Sequence, residues 1–461
     1  RYAYAEIRAG SGIGPGQSRI FAYKLMPVLL DAAGSGPEVG SFVDMGWDSP
    51  TKSGYHNYVV QPVGKTVGGE TVGQAHASAV KAADYLIVTN PKRLFLVYNP
   101  GLDRNQPYCD RLLSTMAELA WEKEGALGYV DAYSAPALRN LIKQGGAWSS
   151  KMAPGWTTNG YLLLVGEQQI VPGWSRHHGT QYTTRGDIPF IASPTDYPYA
   201  STAGSELKPE LAMGRIIGDT PALQMIAIRN SLYSYRGETG YDYDGLFALA
   251  ANGFPACWHG GCDSIDFAHE VNRLPQVLSG SITGIRVPNL AQTDAQGNVI
   301  ITPTKHAITS TFFTHAANKD IIFLAGHGNG VSWDVIHRDD VLAQSTPFGN
   351  HTPFVFASAC ATGDYPVGHS FGEAMLLRRA SAFMGAVEIG ACYGNGTCPH
   401  ADTFFSNWSR SKSFALALKE TKRKLGTSFF DTWWTAIYHL YGDAKFGSVS
   451  GVSAAEEDED V

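Results

Sequence analysis

Two short apolar runs in this sequence each stop at a side chain that can do covalent chemistry. The first is Ile321-Ile-Phe-Leu-Ala-Gly-His327-Gly328 and the second is Phe354-Val-Phe-Ala-Ser-Ala-Cys360. Short apolar runs closed by turn residues read as buried strands. In one parallel sheet both carboxyl ends would open on the rim where such sheets hold ligands, and a histidine would face a cysteine across a cleft. A thiol becomes a good nucleophile when a neighbouring base or cation favours its thiolate. The same imidazole can then protonate a leaving amine. Gly328 lets backbone approach a substrate closely, and the N–H groups of Gly328 and Cys360 are candidate donors to an oxyanion. Taken alone, Cys360 reads as a buried structural thiol and His327 as a hydrogen-bonded turn residue. Their placement at two matching strand ends favours acyl transfer. His337, His351, His369 and His400 follow no buried strand and read as structural.

A sheet must hold those two ends. The patterning predicts strands at Arg93–Tyr98, Leu127–Val130, Tyr161–Val165, Leu246–Ala250, Ile282–Val287, Asp320–Ala325, Pro353–Ala357 and Ala382–Ile389, with an edge strand at Leu211–Ile217. Helices are predicted over Pro107–Glu124, Ala135–Lys143, Pro221–Tyr235, Asp263–Leu274, His306–Asn318, Asp402–Leu425 and Phe430–Leu440. Ser370-Phe-Gly-Glu373 is a capping box that opens a further helix running through Arg379. A polar turn at Gly297-Asn298 predicts a hairpin excursion. Strands alternating with helices imply a mostly parallel α/β sheet covered on both faces. The organisation expected is an extended or β-rich segment over 1–78, a first α/β subdomain over 79–218, a catalytic α/β subdomain over 219–446 and an acidic tail over 447–461. The tail ends in Glu456-Glu-Asp-Glu-Asp460 and reads as solvated.

Composition narrows the function classes. With 461 residues and 44% hydrophobic content, the chain has ample material for a core and is not a disordered protein. Lys+Arg is 35 against Asp+Glu 42, so the basic excess that tracks a phosphate backbone is missing, and nucleic acid is not an expected partner. No apolar run reaches the roughly 18 residues of a transmembrane helix. Low charge and abundant glycine suit an extracellular or cell-surface enzyme, and the start at Arg1, without a Met, reads as a processed chain or a fragment. Among six cysteines, Cys257/Cys262 and Cys392/Cys398 are spaced for short disulfide loops and equally for reduced thiols. Cys257, His259 and Cys262 alone make an incomplete zinc set.

The runs LAGHGNG, PFVFASACATGD and FGEAML together resemble the gingipain family of cysteine peptidases, part of the caspase-fold group with legumain and clostripain. The separation of His327 and Cys360, 33 residues (360 minus 327), fits that pattern. So do Tyr161-Leu-Leu-Leu-Val-Gly-Glu-Gln-Gln-Ile-Val-Pro172, Asp196-Tyr-Pro-Tyr199, Pro209-Glu-Leu-Ala-Met-Gly-Arg215 and Tyr438-His-Leu-Tyr-Gly-Asp443, giving a resemblance over about residues 80–445. It implies Cys360 as nucleophile, His327 as general acid/base, and Gly328 and Cys360 as oxyanion donors. It further implies Asp196 as an acidic residue orienting the histidine, and Glu206 as the acidic floor of a pocket for a basic P1 side chain. No cofactor is needed for the chemistry. A structural calcium is implied, with Asp242, Asp244, Asp294 and Asn298 as candidate loop oxygens. The implied partners are polypeptide substrates, and residues 1–78, which match nothing in the family, read as a propeptide remnant or a surface for a partner subunit. The leading expectation is a cysteine endopeptidase. A transpeptidase on the same fold and a non-catalytic or self-processing assembly subunit are the alternatives, and an amidase fits less well.

Overall fold

A computed structural model describes residues 2–5, 23–26, 28–30, 66–67, 70–98, 106–174, 194–204, 208–241, 245–250, 256–258, 261–263, 267–278, 284–286, 292–293, 299–301, 305–365, 368–388, 390 and 400–448. Its centre is an eleven-stranded sheet. In chain order the strands are β1 (Val28–Leu30), β2 (Tyr85–Thr89), β3 (Ala126–Tyr129), β4 (Tyr161–Val165), β5 (Ala212–Ile216) and β6 (Gly245–Ala250). They continue with β7 (Gly284–Arg286), β8 (Ile321–Ala325), β9 (Phe354–Ser358), β10 (Ala382–Ala386) and β11 (Tyr438–Gly442). Across the sheet the order is β7-β6-β8-β9-β10-β11-β5-β4-β2-β3-β1. Every residue of β2, β8, β9 and β10 is buried, as expected of near-continuous apolar strands covered on both faces.

Side-chain alternation assigns those faces. Phe354 and Phe356 of β9, with Phe323 of β8 beside Phe356, meet Phe404 and Phe405 of helix His400–Asn407 and Phe414 of helix Phe414–Lys424. On the other face Phe383 of β10 packs on Phe371 of helix Phe371–Leu377 and on Tyr441. The Ser370 capping box is formed, with both reciprocal bonds present.

The one antiparallel junction in the sheet is β10 with β11. Strands β6 to β10 therefore run one way, whereas β11 and its parallel neighbours β5, β4, β2, β3 and β1 run the other. Four expectations change here. Leu211–Ile217 is not an edge: Ala212–Ile216 lies between β4 and β11, buried on both sides. Arg93–Tyr98 is not a strand but part of helix Pro91–Tyr98, because the Asn90 side chain accepts the Arg93 N–H at 2.9 Å and so caps a turn whose Leu94 and Tyr98 are buried one turn apart. The strand of that region is the preceding Tyr85–Thr89. The helix from Phe430 stops at Ile437, and Tyr438–Gly442 is drawn out by pairing with β10. Asp402–Leu425 divides into two helices, His400–Asn407 and Phe414–Lys424, the second capped by Ser413.

Candidate active site

Register sets the two strand ends that lead to the predicted pair side by side. Along β8 and β9 the partners run from Ile321↔Phe354 to Ala325↔Ser358, and the Gly326 N–H donates to the Ser358 carbonyl at 3.1 Å. His327 and Cys360 are each two residues past that last matched pair, on strands about 4.8 Å apart. Gly328 is fitted against the cysteine's own backbone. A Cβ there would stand 2.6 Å from the Cys360 carbonyl oxygen and 2.7 Å from Thr362 Cγ2, closer than any side chain tolerates. Beyond Cys360 the chain turns sharply through Ala361, at φ 51°, a left-handed conformation that costs a non-glycine residue on the order of 1 kcal/mol. The turn is tied to the chain leaving β10: Ala361 N–H donates to Glu388 O and Gly363 N–H to Ala386 O, both at 2.8 Å.

Cys360 is half-buried. Its thiol points at the Gly390 carbonyl, 3.8 Å away. Burial pushes the thiol's pKa up, against a smaller opposing pull from the Gly390 bond. Burial thus favours the neutral thiol, which calls for a base at the moment of attack.

His327 leads into a three-stranded ribbon of Gly328–Asn329, Ser332–Trp333 and Ile336–His337, anchored by the fully buried Trp333. The Asp334 N–H donates to the His327 carbonyl at 2.8 Å. That bond makes 327/334 the hydrogen-bonded pair of the ladder, so the neighbouring Gly328↔Trp333 pair is the non-bonded one and the Gly328 N–H points out of the ribbon. The His327 ring meets the Phe267 ring edge-on, centroids 5.1 Å apart. Behind the pair, Ser358 donates to the buried carboxyl of Glu270 at 3.0 Å. Burial, opposed by that bond, pushes Glu270 up to about 8.

Asp196 takes a different place from the one expected. Its carboxylate accepts Arg215 Nε at 2.6 Å and Nη2 at 2.7 Å, both residues being almost wholly buried. A buried guanidinium on β5 demands such a counter-charge, and no hydrogen bond joins Asp196 to His327 among the described residues. Although burial raises it, the Arg215 charge and bonds hold the Asp196 carboxyl below its usual range. The acid beside His327 is Asp334, whose carboxyl burial pushes up and the His327 charge pulls back; sequence reasoning missed it because an aspartate in a turn carries no distinguishing signal. The remaining histidines do structural work: His337 caps helix Arg338–Ala343, His351 pairs with Asp320, His369 with Asp219 and His400 with Asp431. Glu206, the loop oxygens Asp242, Asp244, Asp294 and Asn298, the pair Cys392/Cys398, His259 and most of residues 1–78 and 447–461 lie outside the described residues. The backbones of Cys257 and Cys262 stand opposite one another on a hairpin. Among the described residues, Glu167, Asp219 and Glu373 bring carboxylate oxygens within 4.8 Å of one another.

The sequence profile of Peptidase family C25 matches residues 79–447. The chain belongs to this family. This C25 chain is thus a cysteine peptidase of the gingipain kind, and His327 and Cys360 fall inside the matched region. Among solved structures it is similar to the complex of Porphyromonas gingivalis RgpB pro- and mature domains, at 15% identity and TM-score 0.51 over 79% of each chain. It is also similar to the Arg-specific cysteine proteinase gingipain R (RgpB), at 14% identity and TM-score 0.50 over 80% of this chain and 78% of that one. At that identity the likeness speaks for the fold. No curated protein matches the C25 chain in sequence.

Proposed function

We propose that this peptidase is an endopeptidase that cleaves polypeptides through a thioester on Cys360. The observation that carries the reading is the fit of Gly328 onto the Cys360 carbonyl at the matched ends of β8 and β9. In the reaction His327 takes the Cys360 proton as Sγ attacks the scissile carbonyl carbon. The Gly328 and Cys360 N–H groups receive the oxyanion. Collapse breaks the C–N bond, and His327 gives its proton to the leaving amine. Water, deprotonated by His327, then attacks the thioester, releasing the acid and restoring the thiol. Burial of the thiol supports proton removal within the attack step rather than a standing thiolate.

The finer parts of the proposal are a basic P1 preference set by Glu206, action outside the cell or at its surface, and a catalytic unit over 219–446 beside a first unit over 79–218. Residues 1–78 are proposed as a contact surface, an idea favoured by the similar RgpB structure being a complex of pro- and mature domains. Calcium, where bound, is structural: oxygens such as those of Glu167, Asp219 and Glu373 suit a hard cation, and no step of the chemistry needs it.

A fluorogenic peptide panel with Arg, Lys, Asn, Asp or Leu at P1 tests this under reducing conditions. Wild type should cleave and Cys360→Ala should not, and a preference for Arg or Lys would support Glu206. Capture of an added amine in the product would identify transpeptidation. A folded wild type that turns over nothing, with or without calcium, would overturn the reading in favour of an assembly subunit.

A further inference from the structure

We propose that Asp334 is the positioning residue of the active site: its carboxylate orients the His327 imidazole and stabilises the imidazolium that forms when Cys360 gives up its proton. This rests on the peptidase reading above. Asp334 opens the two-residue turn between Ser332–Trp333 and Ile336–His337, and its N–H holds the His327 carbonyl at 2.8 Å. Residues paired in this way sit with Cα atoms about 5.5 Å apart, so the two side chains start from one point of the ribbon. Asp334 has φ 47°, the left-handed region that aspartate enters at less cost than most residues. The Val335 N–H holds the carboxylate, while the Oδ2 atom is buried and has no hydrogen-bond partner. An unpartnered buried carboxylate oxygen is costly unless a donor reaches it during function. The ring N–H of His327 is the donor whose main chain is already fixed alongside. Burial raises the Asp334 carboxyl, and the charge that draws it back down is that of His327.

The other acids of this ribbon are engaged elsewhere. Asp339 pairs with His337 and Arg338, while Asp340 accepts the His337 N–H and lies 3.5 Å from Lys305. In the reaction Asp334 takes no proton. The proton passes from Sγ to the imidazole and on to the leaving amine, and the fixed negative charge lowers the cost of the cationic stage.

Two readouts test this in Asp334→Asn, Asp334→Glu and Asp334→Gly. The glycine variant removes the carboxylate and relieves the backbone, so it should fold at least as well as wild type. The first readout is the NMR titration of histidine Cε1, with the His327 signal assigned by its loss in His327→Gln. Proton binding at His327 should weaken about tenfold in Asp334→Asn and Asp334→Gly, and recover in part in Asp334→Glu. The second is peptide hydrolysis, where kcat should fall roughly 10- to 100-fold with KM within about twofold. An unchanged His327 titration in the folded asparagine and glycine variants would overturn the proposal. A shifted titration in a protein that cleaves no peptide would instead leave the pairing standing and remove the peptidase reading.

Discussion

At Gly328 one methyl group would separate close packing from catalysis. The position needs glycine because a Cβ would lie 2.6 Å from the Cys360 carbonyl, so the His327-Gly328 backbone must shift by tenths of an ångström to admit it. The Gly328 N–H is also the outward-facing donor of the ribbon. Gly328→Ala should therefore lower kcat by about 100- to 1000-fold, the usual cost of losing one oxyanion donor, with only a modest fall in Tm. Gly204 supplies the control: its Cβ would meet nothing within 4 Å, and Gly204→Ala should leave kcat unchanged. Wild-type turnover in Gly328→Ala would mean that this close approach does nothing for the reaction.

The elements show which parts of the site could be read beforehand. Strands β8 and β9 were legible because each is a five-residue apolar run stopped by a reactive side chain, and burial on both faces leaves no competing periodicity. Arg93–Tyr98 has the same apolar look, but the side chain of Asn90 decides it, and a single cap is a weak signal beside six favourable residues. Tyr438–Gly442 could not be read as a strand because its partners, β10 and β5, are distant in sequence. The pairing of Asp196 with Arg215 was hidden for the same reason. The nineteen residues to Arg215 hide a bidentate bond that exists only once β5 is interior. That bond predicts a structural penalty: Asp196→Ala leaves a buried guanidinium without its counter-charge and should destabilise the fold by about 3–5 kcal/mol. Adding Arg215→Met should restore much of the loss. Urea unfolding of the two variants measures this, and a destabilisation below about 1 kcal/mol would return Asp196 to the list of candidates for a role at His327.

At the scale of the whole molecule, buried polar groups join the two oppositely running halves of the sheet beside the β10–β11 pairing. Tyr441 of β11 donates from its Oη to the carbonyl of Gly363, in the turn beyond β9, at 2.6 Å. A second tie is the carboxyl group of three. Glu167 follows β4 and accepts the Gly218 N–H, Glu373 caps the helix beyond the loop after Cys360 through the Ser370 N–H, and Asp219 holds His369. Burial first, then the neighbouring carboxylates, push Glu167 up to about 7 and Glu373 up to about 8. The sign of the pH effect follows. Between the ordinary carboxyl range near 4.5 and these raised values, the folded chain holds protons that the unfolded chain has lost, so folding stability must fall as pH rises through that window. With these values the pair should account for a loss of several kcal/mol, on the order of 6, between pH 5 and pH 8.5. Glu270, raised for its own reasons, adds loss of the same sign, so the pair is isolated by difference. In Glu373→Gln the helix cap can persist while the repulsion with Glu167 is gone. Its urea midpoint should therefore change less between the two pH values than that of wild type. An equal change in both proteins would show that the cluster does not couple the halves through its proton.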